Sequence, residues 1–359
     1  MKKKILVAMS GGVDSSVAAL LLKAQGYDCM GATMHLFSPD ATTAQRSCCC
    51  PEEQILARSI ADRLGIPFSV LDYSAEFQQY VIDYFIRTYL EGGTPNPCVE
   101  CNRTMKFGML YRAATEMGCN GIATGHYARI TRSPGGRWLL SCAADGGKDQ
   151  TYVLWSLSQE QLAATYFPLG NLKKSEVREL AEAHGFCNAN RRDSQDICFV
   201  PDGDYVSFIR QRTGMTFPQG NFVDRNGNIL GRHNGILHYT VGQRKGLGIA
   251  FGKPTYVCQK DPITNTVTLG DNADLFHRSL IAHSINLIAL PQIDRPMRVQ
   301  AKIRYQAAPA WATVEQTNTD TLHVLFDQPQ RAIAKGQSVV LYDGDVVVGG
   351  GIIEESADS

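Results

Sequence analysis

The sequence has no excess of charge, no long hydrophobic run and no apolar leader. Its 35 lysines and arginines balance its 35 aspartates and glutamates, which argues against a strongly basic nucleic-acid binder but leaves room for local patches. No apolar run approaches the roughly 18 residues of a membrane-spanning helix, so we expect no membrane partner. Because the polar residues 1–4 lead straight into a strand-like segment, we expect no signal peptide and predict a cytoplasmic location.

Cysteine, by contrast, is abundant, with eleven cysteines in 359 residues. Without a secretion signal, cysteines in such numbers are expected to be thiols, metal ligands or redox catalysts rather than a disulfide framework. A chain of this length is also expected to form two or three domains.

A Walker-type phosphate motif is missing, but another glycine-rich loop takes its place. Residues 10–16 read Ser-Gly-Gly-Val-Asp-Ser-Ser and are called the phosphate loop below. An apolar strand-like segment, Ile5–Met9, precedes this loop, and a helical pattern over Val17–Leu22 follows it. The two glycines let a ligand approach the backbone, and the helix start offers N–H groups to phosphate. The carboxylate of Asp14 suits a magnesium ion bound to pyrophosphate.

The phosphate loop resembles that of the N-type ATP pyrophosphatases, the PP-loop enzymes that split ATP into AMP and pyrophosphate. The resemblance implies that ATP and Mg²⁺ bind at this loop. An ordinary Gly-Ser turn with a capping aspartate is the alternative, which the strand–loop–helix context disfavours.

Strands alternate with helices from residue 5 to residue 125, with a loop predicted over 38–50, a helix over Pro51–Leu64 and another from about Asn102 to Met117. This alternation predicts an α/β domain with a doubly wound parallel sheet. Ligands of such sheets bind at the carboxyl ends of the strands. The phosphate loop, Met34, the turn before Cys98 and the pair Gly125-His126 all fall at such ends. We predict that this catalytic domain covers residues 1–214.

Two smaller domains are predicted after the first. Residues 221–260 are rich in glycine and β-forming residues and hold six lysines or arginines against one acid, Asp224. We therefore predict a small mixed domain over 215–275 with a basic face. Short alternating segments separated by turns then predict a C-terminal β-barrel over 276–359.

Three cysteines form the second pattern of interest. Cys98 and Cys101 form a Cys-x-x-Cys motif after a Pro-Asn-Pro turn, and Cys198 follows the polar segment Asp-Ser-Gln-Asp-Ile. Three functions are open: a nucleophile with a resolving partner, three ligands of an iron–sulfur cluster, or a zinc site with an unidentified fourth ligand. Cys48, Cys49 and Cys50 stay undecided. Burial in a core is favoured for the remaining five, Cys29, Cys119, Cys142, Cys187 and Cys258.

Six motifs follow one another along the chain and together carry a family resemblance. They are Ser10–Ser16, Thr94-Pro-Asn-Pro with Cys101-Asn, Ala123–Tyr127, Lys148–Gln150, Ser194–Phe199 and His238–Gly248. Over essentially its whole length the chain resembles the bacterial tRNA-specific 2-thiouridylases, which place sulfur on the wobble uridine of certain tRNAs. The resemblance implies a sulfurtransferase whose partners are tRNA and a sulfur-donor protein, either a persulfide carrier or a cysteine desulfurase.

The family's chemistry implies roles for two of the cysteines. ATP would adenylate the uridine C2 carbonyl, pyrophosphate would depart into the phosphate loop, and AMP would leave as sulfur enters. Cys198 would receive a persulfide, and Cys101 would attack or resolve. A Cys101–Cys198 disulfide would end the cycle.

The resemblance also implies a set of site residues. The catalytic residues are Cys101, Cys198 and Asp14. The ATP contacts are Ala8, Met9, Ser10, Gly11, Gly12, Val13, Asp14, Ser15, Met34 and Gly125. The target-base contacts are Asn96, Pro97 and Cys98. The tRNA contacts are His126, Lys148, Asp149, Gln150, Arg304, Tyr305 and Gln337, within a chain whose central domain is expected to bind tRNA.

The chain departs from the family pattern at Cys98, where the best-known members have aspartate. Together with Cys101 and Cys198 this residue supplies three thiolates, enough to hold a [4Fe–4S] cluster with one open iron. The persulfide mechanism and the cluster mechanism therefore both stay open. Two rival functions are a ligase or amidotransferase acting on a small molecule, and a non-enzymatic RNA-binding or sulfur-carrier module.

Overall fold

The structure is a computed structural model that describes residues 2–37, 51–191, 196–249 and 252–357. The predicted loop over 38–50, with Cys48, Cys49 and Cys50, lies outside the described residues, as do Asp193, Ser194 and Gln195. Within the described ranges, every helix is too short or too polar to cross a membrane.

The first part of the chain forms a five-stranded parallel sheet flanked by helices. Its elements are β1 (Lys4–Ala8), α1 (Val13–Ala24), β2 (Asp28–His35), α2 (Pro51–Leu64), β3 (Phe68–Asp72), α3 (Ser74–Phe77), α4 (Asp83–Leu90), α5 (Pro97–Glu100), α6 (Leu110–Glu116), β4 (Gly121–Ala123), β5 (Arg129–Arg132), β6 (Trp138–Ser141), α7 (Gln159–Ala163), β7 (Thr165–Tyr166), α8 (Lys174–Ala183) and α9 (Tyr205–Thr213). Two π-helical stretches, Gln78–Ile82 and Cys101–Met109, join α3 to α4 and α5 to α6. The sheet order is β3-β2-β1-β4-β7, with every neighbouring pair parallel. The predicted α/β class with a doubly wound parallel sheet is confirmed.

Alternation along β1 explains why the sheet is covered on both faces. Ile5 and Val7 pack into a cluster with α1, α2 and α8, whereas Leu6 packs on the other face with α6. All three side chains are fully buried, as expected for the central strand of a parallel sheet. In the register Ala8 lies beside Ala32 of β2, and β4 pairs with the other edge of β1. The carboxyl ends of these three strands therefore meet at one edge of the sheet.

A four-stranded sheet forms the middle of the chain. Its strands are β8 (Gly220–Val223), β9 (Ile229–His233), β10 (Tyr256–Asp261) and β11 (Thr266–Gly270). Their order is β10-β11-β8-β9, and only β11 and β8 run parallel. Phe222 and Val257 of this sheet share one hydrophobic cluster, called the junction cluster below, with Phe85 and Phe199. The predicted small mixed domain is therefore present, and it packs directly on the first.

The C-terminal strands close on themselves. They are β12 (Phe276–Leu287), β13 (Met297–Lys302), β14 (Ala310–Asn318), β15 (Thr321–Arg331), β16 (Ser338–Asp343) and β17 (Val346–Ala357). Antiparallel pairs run in the order β12-β15-β14-β13-β16-β17, and β17 pairs back with β12. Alternate residues such as Val299, Val314 and Val324 fill the interior. The predicted C-terminal β-barrel is confirmed.

The hairpin of β5 and β6 extends the barrel's sheet, although it lies within the first part of the chain. Ser141 of β6 pairs with Val346 of β17, and Arg129 of β5 lies 3.3 Å from the carboxylate of Asp345. Sequence analysis missed this hairpin, although Pro134, Gly135 and Gly136 in its turn were a local signal. Its pairing with β17 lies too far along the chain for a local pattern to predict. One sheet thus crosses from the first domain into the third, and the bounds 1–214, 215–275 and 276–359 stay predictions.

The helix that carries the Cys-x-x-Cys motif begins earlier than predicted. We expected a helix from about Asn102, but it starts at Pro97, so Cys98 and Cys101 lie on a helix rather than in a turn. Asn96 Oδ1 accepts a hydrogen bond from the N–H of Cys98 (3.2 Å), and Pro97 occupies the first helical position. An asparagine cap followed by proline is a strong helix start, and it explains the difference.

Candidate nucleotide and thiol site

The phosphate loop lies at the edge where β1, β2 and β4 end. Ser15 Oγ accepts a hydrogen bond from the N–H of Ser10 (3.2 Å) and donates one to the carbonyl oxygen of Gly12 (3.0 Å). Ser16 Oγ also donates to the Gly12 carbonyl (2.9 Å). The hydroxyls thus hold the backbone of the loop. Gly12, the N-cap residue of α1, has no side chain that could cap the helix, so the first N–H groups are available to an anion.

Two glycines let neighbouring segments touch this loop. Gly11 has a φ of +78°, and a Cβ there would lie 2.5 Å from Glu53 Oε2. A Cβ on Gly125 would lie 2.7 Å from the carbonyl carbon of Asp14 and 2.7 Å from the nitrogen of Ser15. The segment after β4 therefore packs against the backbone of the first turn of α1, and only glycine leaves room for that contact.

The carboxylate of Asp14 is held by two side chains from elsewhere in the chain. Lys174 Nζ lies 2.7 Å from Asp14 Oδ1 and 2.8 Å from Oδ2. The hydroxyl of Tyr127 donates to the same Oδ1 (2.8 Å). Lys174 is buried, with 8% of its surface exposed, and its ammonium group lies 5.8 Å from the centre of the Tyr127 ring. An ion pair joined by a phenolic hydroxyl therefore forms one wall of the loop.

Sequence analysis missed two residues that contact this loop, Lys174 and Asn188. The buried residues of α8 are Lys174, Val177 and Ala181, so the lysine lies on the apolar stripe of an amphipathic helix. A lysine on the buried, apolar face of a helix is unusual, and this could have indicated a buried ion pair. Asn188 is also buried, and its side-chain amide donates to the carbonyl oxygen of Gly11 (2.8 Å). No local pattern distinguishes that asparagine.

The carboxylate of Asp14 is not arranged to hold a resident Mg²⁺ ion. Both of its oxygens contact the ammonium group of Lys174. In the described part of the chain, no three His, Cys, Asp or Glu side chains converge as ligands of a metal ion. Mg²⁺ bound to the phosphates of ATP, as part of the substrate, stays a prediction.

The three predicted thiol ligands do not form a metal site either. Cys98 is exposed, while Cys101 and Cys198 are partly buried. Among the described residues, these three cysteines included, no three His, Cys, Asp or Glu side chains are arranged to hold a metal ion. In this arrangement the three thiols do not converge as ligands, and the [4Fe–4S] cluster and the zinc ion stay predictions.

Cys101 and Cys198 nevertheless share one environment. Both pack against the junction cluster, and Met34, at the end of β2, packs against it as well. Neither cysteine forms a disulfide in the structure. Phe199, which follows Cys198, contacts Phe85 with 5.1 Å between ring centres, and this contact anchors the segment. Both predicted reactive cysteines thus pack against the cluster that Met34 also contacts.

His126 is buried and surrounded by aromatic rings. Its Nδ1 lies 2.7 Å from Thr124 Oγ1, and its ring centre is 5.8 Å from that of Phe107 and 5.9 Å from that of Phe167. Burial, aided by the charge of Lys106, holds the pKa of this histidine well below its usual range. The ring is therefore neutral and offers no charge to RNA. The predicted tRNA contact at His126 stays a prediction.

The segment Lys148–Gln150 connects the catalytic sheet to the barrel. Gln150 Oε1 accepts a hydrogen bond from the N–H of Tyr127 (2.9 Å), and the hydroxyl of Tyr305 donates to the carbonyl oxygen of Asp149 (3.1 Å). Burial raises the pKa of Tyr305, and the charge of Asp149 adds to this effect. Tyr305 of the barrel thus contacts Asp149 directly, so predicted tRNA contacts from the first domain and from the barrel lie at one junction.

Arg304 and Gln337 lie at the same junction, and both make structural contacts. Arg304 donates to the carbonyl oxygen of Ala332 (2.6 Å). Gln337 Nε2 donates to the carbonyl oxygens of Thr94 (2.9 Å) and Pro95 (3.4 Å). These bonds are all within the protein, and the contacts of Arg304 and Gln337 with tRNA stay predictions.

Three family models match successive parts of the chain. A model described as the tRNA methyl transferase HUP domain matches residues 3–202, a tRNA methyl transferase PRC-barrel domain matches 206–271, and an aminomethyltransferase beta-barrel domain matches 277–353. Fold and site together define an ATP-pyrophosphatase-type α/β domain followed by two β domains.

Relatives that match from end to end identify the family. The tRNA-specific 2-thiouridylase MnmA of Clostridioides difficile strain 630 is 52% identical over 358 residues, covering 99% of each chain. That of Acetivibrio thermocellus is 49% identical, covering 98% of this chain and 99% of its own. The chain belongs to the tRNA-specific 2-thiouridylase family. A solved 4-thiouridine synthetase–RNA complex with ATP is 18% identical, covers 59% of this chain and 50% of its own, and has a TM-score of only 0.37.

Proposed function

We propose that the protein is a tRNA-uridine 2-sulfurtransferase, which uses ATP to replace the C2 oxygen of a wobble uridine by sulfur. The observation that carries the proposal is an open helix start at the phosphate loop in a chain 52% identical to a tRNA-specific 2-thiouridylase over 99% of its length. The products are 2-thiouridine, AMP and pyrophosphate. We place the reaction in the cytoplasm, where tRNA and ATP meet.

The first step converts a poor leaving group into a good one. The C2 oxygen of uridine attacks the α-phosphorus of ATP, and the bond to the bridging oxygen of the β-phosphate breaks. Pyrophosphate departs with the electron pair. The open N–H groups at the start of α1 are positioned to stabilise this developing charge. Met34 and Gly125, at the neighbouring strand ends, are the proposed contacts of the nucleoside.

The second step brings in sulfur through Cys198 and Cys101. A donor protein transfers a sulfane sulfur to Cys198 as a persulfide, whose terminal sulfur attacks C2 while AMP leaves. The Cys101 thiolate then attacks Cys198 Sγ, the S–S bond breaks, and 2-thiouridine is released. A Cys101–Cys198 disulfide remains and is reduced by a thiol reductant. The shared environment of both cysteines and Met34 beside the junction cluster supports this route.

The target uridine reaches the site after it is flipped out of the RNA stack. Asn96, Pro97 and Cys98, at the start of α5, are its proposed contacts. The proposed contacts of the tRNA backbone are Lys148–Gln150 and Arg304–Tyr305, together with the basic face of the middle domain. Because such contacts are made largely to phosphates, affinity for tRNA should fall as salt concentration rises.

The names of the family models refer to methyl transfer, but sulfur transfer is the better proposal. The relatives that match 98% or more of this chain are named 2-thiouridylases, and their matches span both reactive cysteines. A ligase acting on a small molecule would explain the phosphate loop alone. It would leave the pair of cysteines without a use.

One reconstitution tests the proposal. Purified protein is incubated with an unmodified tRNA transcript, ATP and a persulfide donor, and the nucleosides are analysed by mass spectrometry. We expect 2-thiouridine together with AMP and pyrophosphate. Cys198→Ser should keep tRNA-dependent pyrophosphate release but lose thiolation, and the exposed Cys187→Ser is the matched control. Pyrophosphate release that tRNA does not stimulate would favour the small-molecule ligase.

A further inference from the structure

The position of the Asp14 side chain is unusual for a residue in the first turn of a helix. An acidic side chain there ordinarily turns toward the open N–H groups and the positive end of the helix dipole. Here the N-cap residue, Gly12, has no side chain, and the Asp14 carboxylate is directed to Lys174 and Tyr127 instead of the helix start. The anion site at the helix start is thereby left unobstructed by the loop's own carboxylate.

Lys174 is itself fixed in place. It is the first residue of α8, and its backbone N–H donates to Asp145 Oδ2 (3.0 Å) while its ammonium group binds both oxygens of Asp14. Tyr127, the second partner of Asp14, is fully buried, with 2% of its surface exposed. The carboxylate is therefore held between two groups that have little freedom to move.

The ion pair between Lys174 and Asp14 would reduce electrostatic repulsion of a bound polyphosphate. A polyphosphate at the start of α1 would lie near the Asp14 carboxylate, and two negative charges a few ångströms apart repel strongly in a partly buried site. The ammonium group of Lys174 cancels the charge of the carboxylate without occupying the N–H groups. The helix start thus keeps its net attraction for an anion.

We propose that Lys174 is a positioning residue, which holds and neutralises Asp14 so that the start of α1 can accept the polyphosphate of ATP. This inference rests on the proposed function only in that ATP is the nucleotide. The competing explanation is an ion pair that merely fastens α8 to α1. A third is direct contact between Lys174 and the phosphates.

A double-mutant cycle separates these explanations. The variants are Lys174→Met, Asp14→Asn and the double variant, with Lys173→Met, at the exposed preceding residue, as the matched control. ATP affinity is measured by calorimetry without tRNA or sulfur donor. We expect Lys174→Met to weaken ATP binding at least tenfold, Lys173→Met to leave it within twofold, and Lys174→Arg to keep most of it.

The ATP affinity of the double variant distinguishes a positioning role of Lys174 from the two competing explanations. When Asp14→Asn removes the charge that Lys174 offsets, ATP affinity should recover to within about threefold of the Asp14→Asn value. A double variant as weak as Lys174→Met would overturn the proposal in favour of direct phosphate contact or a purely structural pair. If Lys174→Met does not fold, the comparison of the double variant with Asp14→Asn alone gives the same decision.

The test is separate from that of the proposed function. Wild-type protein that binds ATP but never forms 2-thiouridine would defeat the sulfurtransferase proposal and leave the cycle valid. Wild-type protein that fails to bind ATP would overturn both. Melting temperature and tRNA affinity are measured for each variant, and a loss of ATP binding that only follows a lowered melting temperature counts against a positioning role.

Discussion

Gln337 Nε2 lies 2.9 Å from the carbonyl oxygen of Thr94, so the barrel holds the turn that leads into the Cys98–Cys101 helix. The backbone adds a second bond, from the N–H of Thr94 to the carbonyl oxygen of Lys335 (2.7 Å). The proposed base-contacting residues therefore depend on the C-terminal domain for their position. The C-terminal domain thus bears on the proposed site through the backbone of this turn.

Gln337→Ala should weaken the use of tRNA as a substrate more than the binding of ATP. It removes two hydrogen bonds to the turn before Asn96, each worth about 1 kcal/mol. We expect a threefold to thirtyfold loss of kcat/KM for tRNA and an unchanged Kd for ATP. The exposed Gln328→Ala on β15 is the control. Equal losses for both substrates would mean that the contact supports the whole fold rather than the turn.

Gly125→Ala should damage ATP binding through the backbone of α1. The added methyl group would lie 2.7 Å from backbone atoms of Asp14 and Ser15, which cannot move aside as a flexible side chain can. We expect a loss of ATP affinity of tenfold or more in a calorimetric titration. Gly146→Ala is the matched control, since a Cβ there has no neighbour within 4 Å. Normal ATP affinity in Gly125→Ala would show that the start of α1 does not bind the nucleotide.

Acid should destabilise the protein through His126. Burial holds its pKa well below 6.5, so below pH 6.5 the unfolded chain takes up a proton that the folded chain refuses. Stability is fully present above pH 6.5 and falls with pH below it, by up to about 1.4 kcal/mol per pH unit. Denaturant unfolding between pH 7.5 and 5 should show this slope. It should be reduced in His126→Gln and retained in His184→Gln, which alters an exposed histidine.

Lys260→Met should stabilise the protein. The amine of Lys260 is buried and has no hydrogen-bond partner in the described structure, and burial lowers its pKa to about 8. In the register it lies opposite Val267, which belongs to the junction cluster. Burial of this amine therefore opposes folding by roughly 3 kcal/mol at most below pH 8.

The pH dependence checks the assignment to Lys260. Between pH 8 and 10.5 the unfolded chain binds the proton and the folded chain does not, so wild-type stability should rise with pH across that window. The advantage of Lys260→Met, about 1–3 kcal/mol at pH 7, should shrink over the same range. The exposed Lys245→Met should show neither effect. A destabilised Lys260→Met would mean that the amine has a partner in solution.

Local sequence patterns were enough for the strands and helices around the phosphate loop. Apolar runs, glycines after helices and Pro51 at the start of α2 are signals carried by neighbouring residues, and α2 spans Pro51–Leu64 as expected. The residues that contact the phosphate loop from later in the chain could not be predicted from local patterns. Lys174 lies 160 residues from Asp14, and Asn188 lies 177 residues from Gly11. Periodicity and caps say nothing about contacts at such separation.

The family resemblance predicted more of the site residues than the local patterns did. It did not predict the charge state or the charged partners of those residues. It named Asp14 as catalytic, and the carboxylate is bound by an ammonium group and a phenol. It named His126 as a tRNA contact, and the ring is buried and neutral. The charge state of a residue depends on its surroundings in the folded chain, which a motif does not contain.

The pairing of Ser141 with Val346 matters for how the chain is made on the ribosome. The β5–β6 hairpin emerges first, and the neighbour that completes its sheet emerges about 200 residues later. In the interval one edge of β6 is uncovered, and uncovered edges recruit strands from other chains. Shortened or stalled products should therefore aggregate, even when they contain every residue that the nucleotide needs.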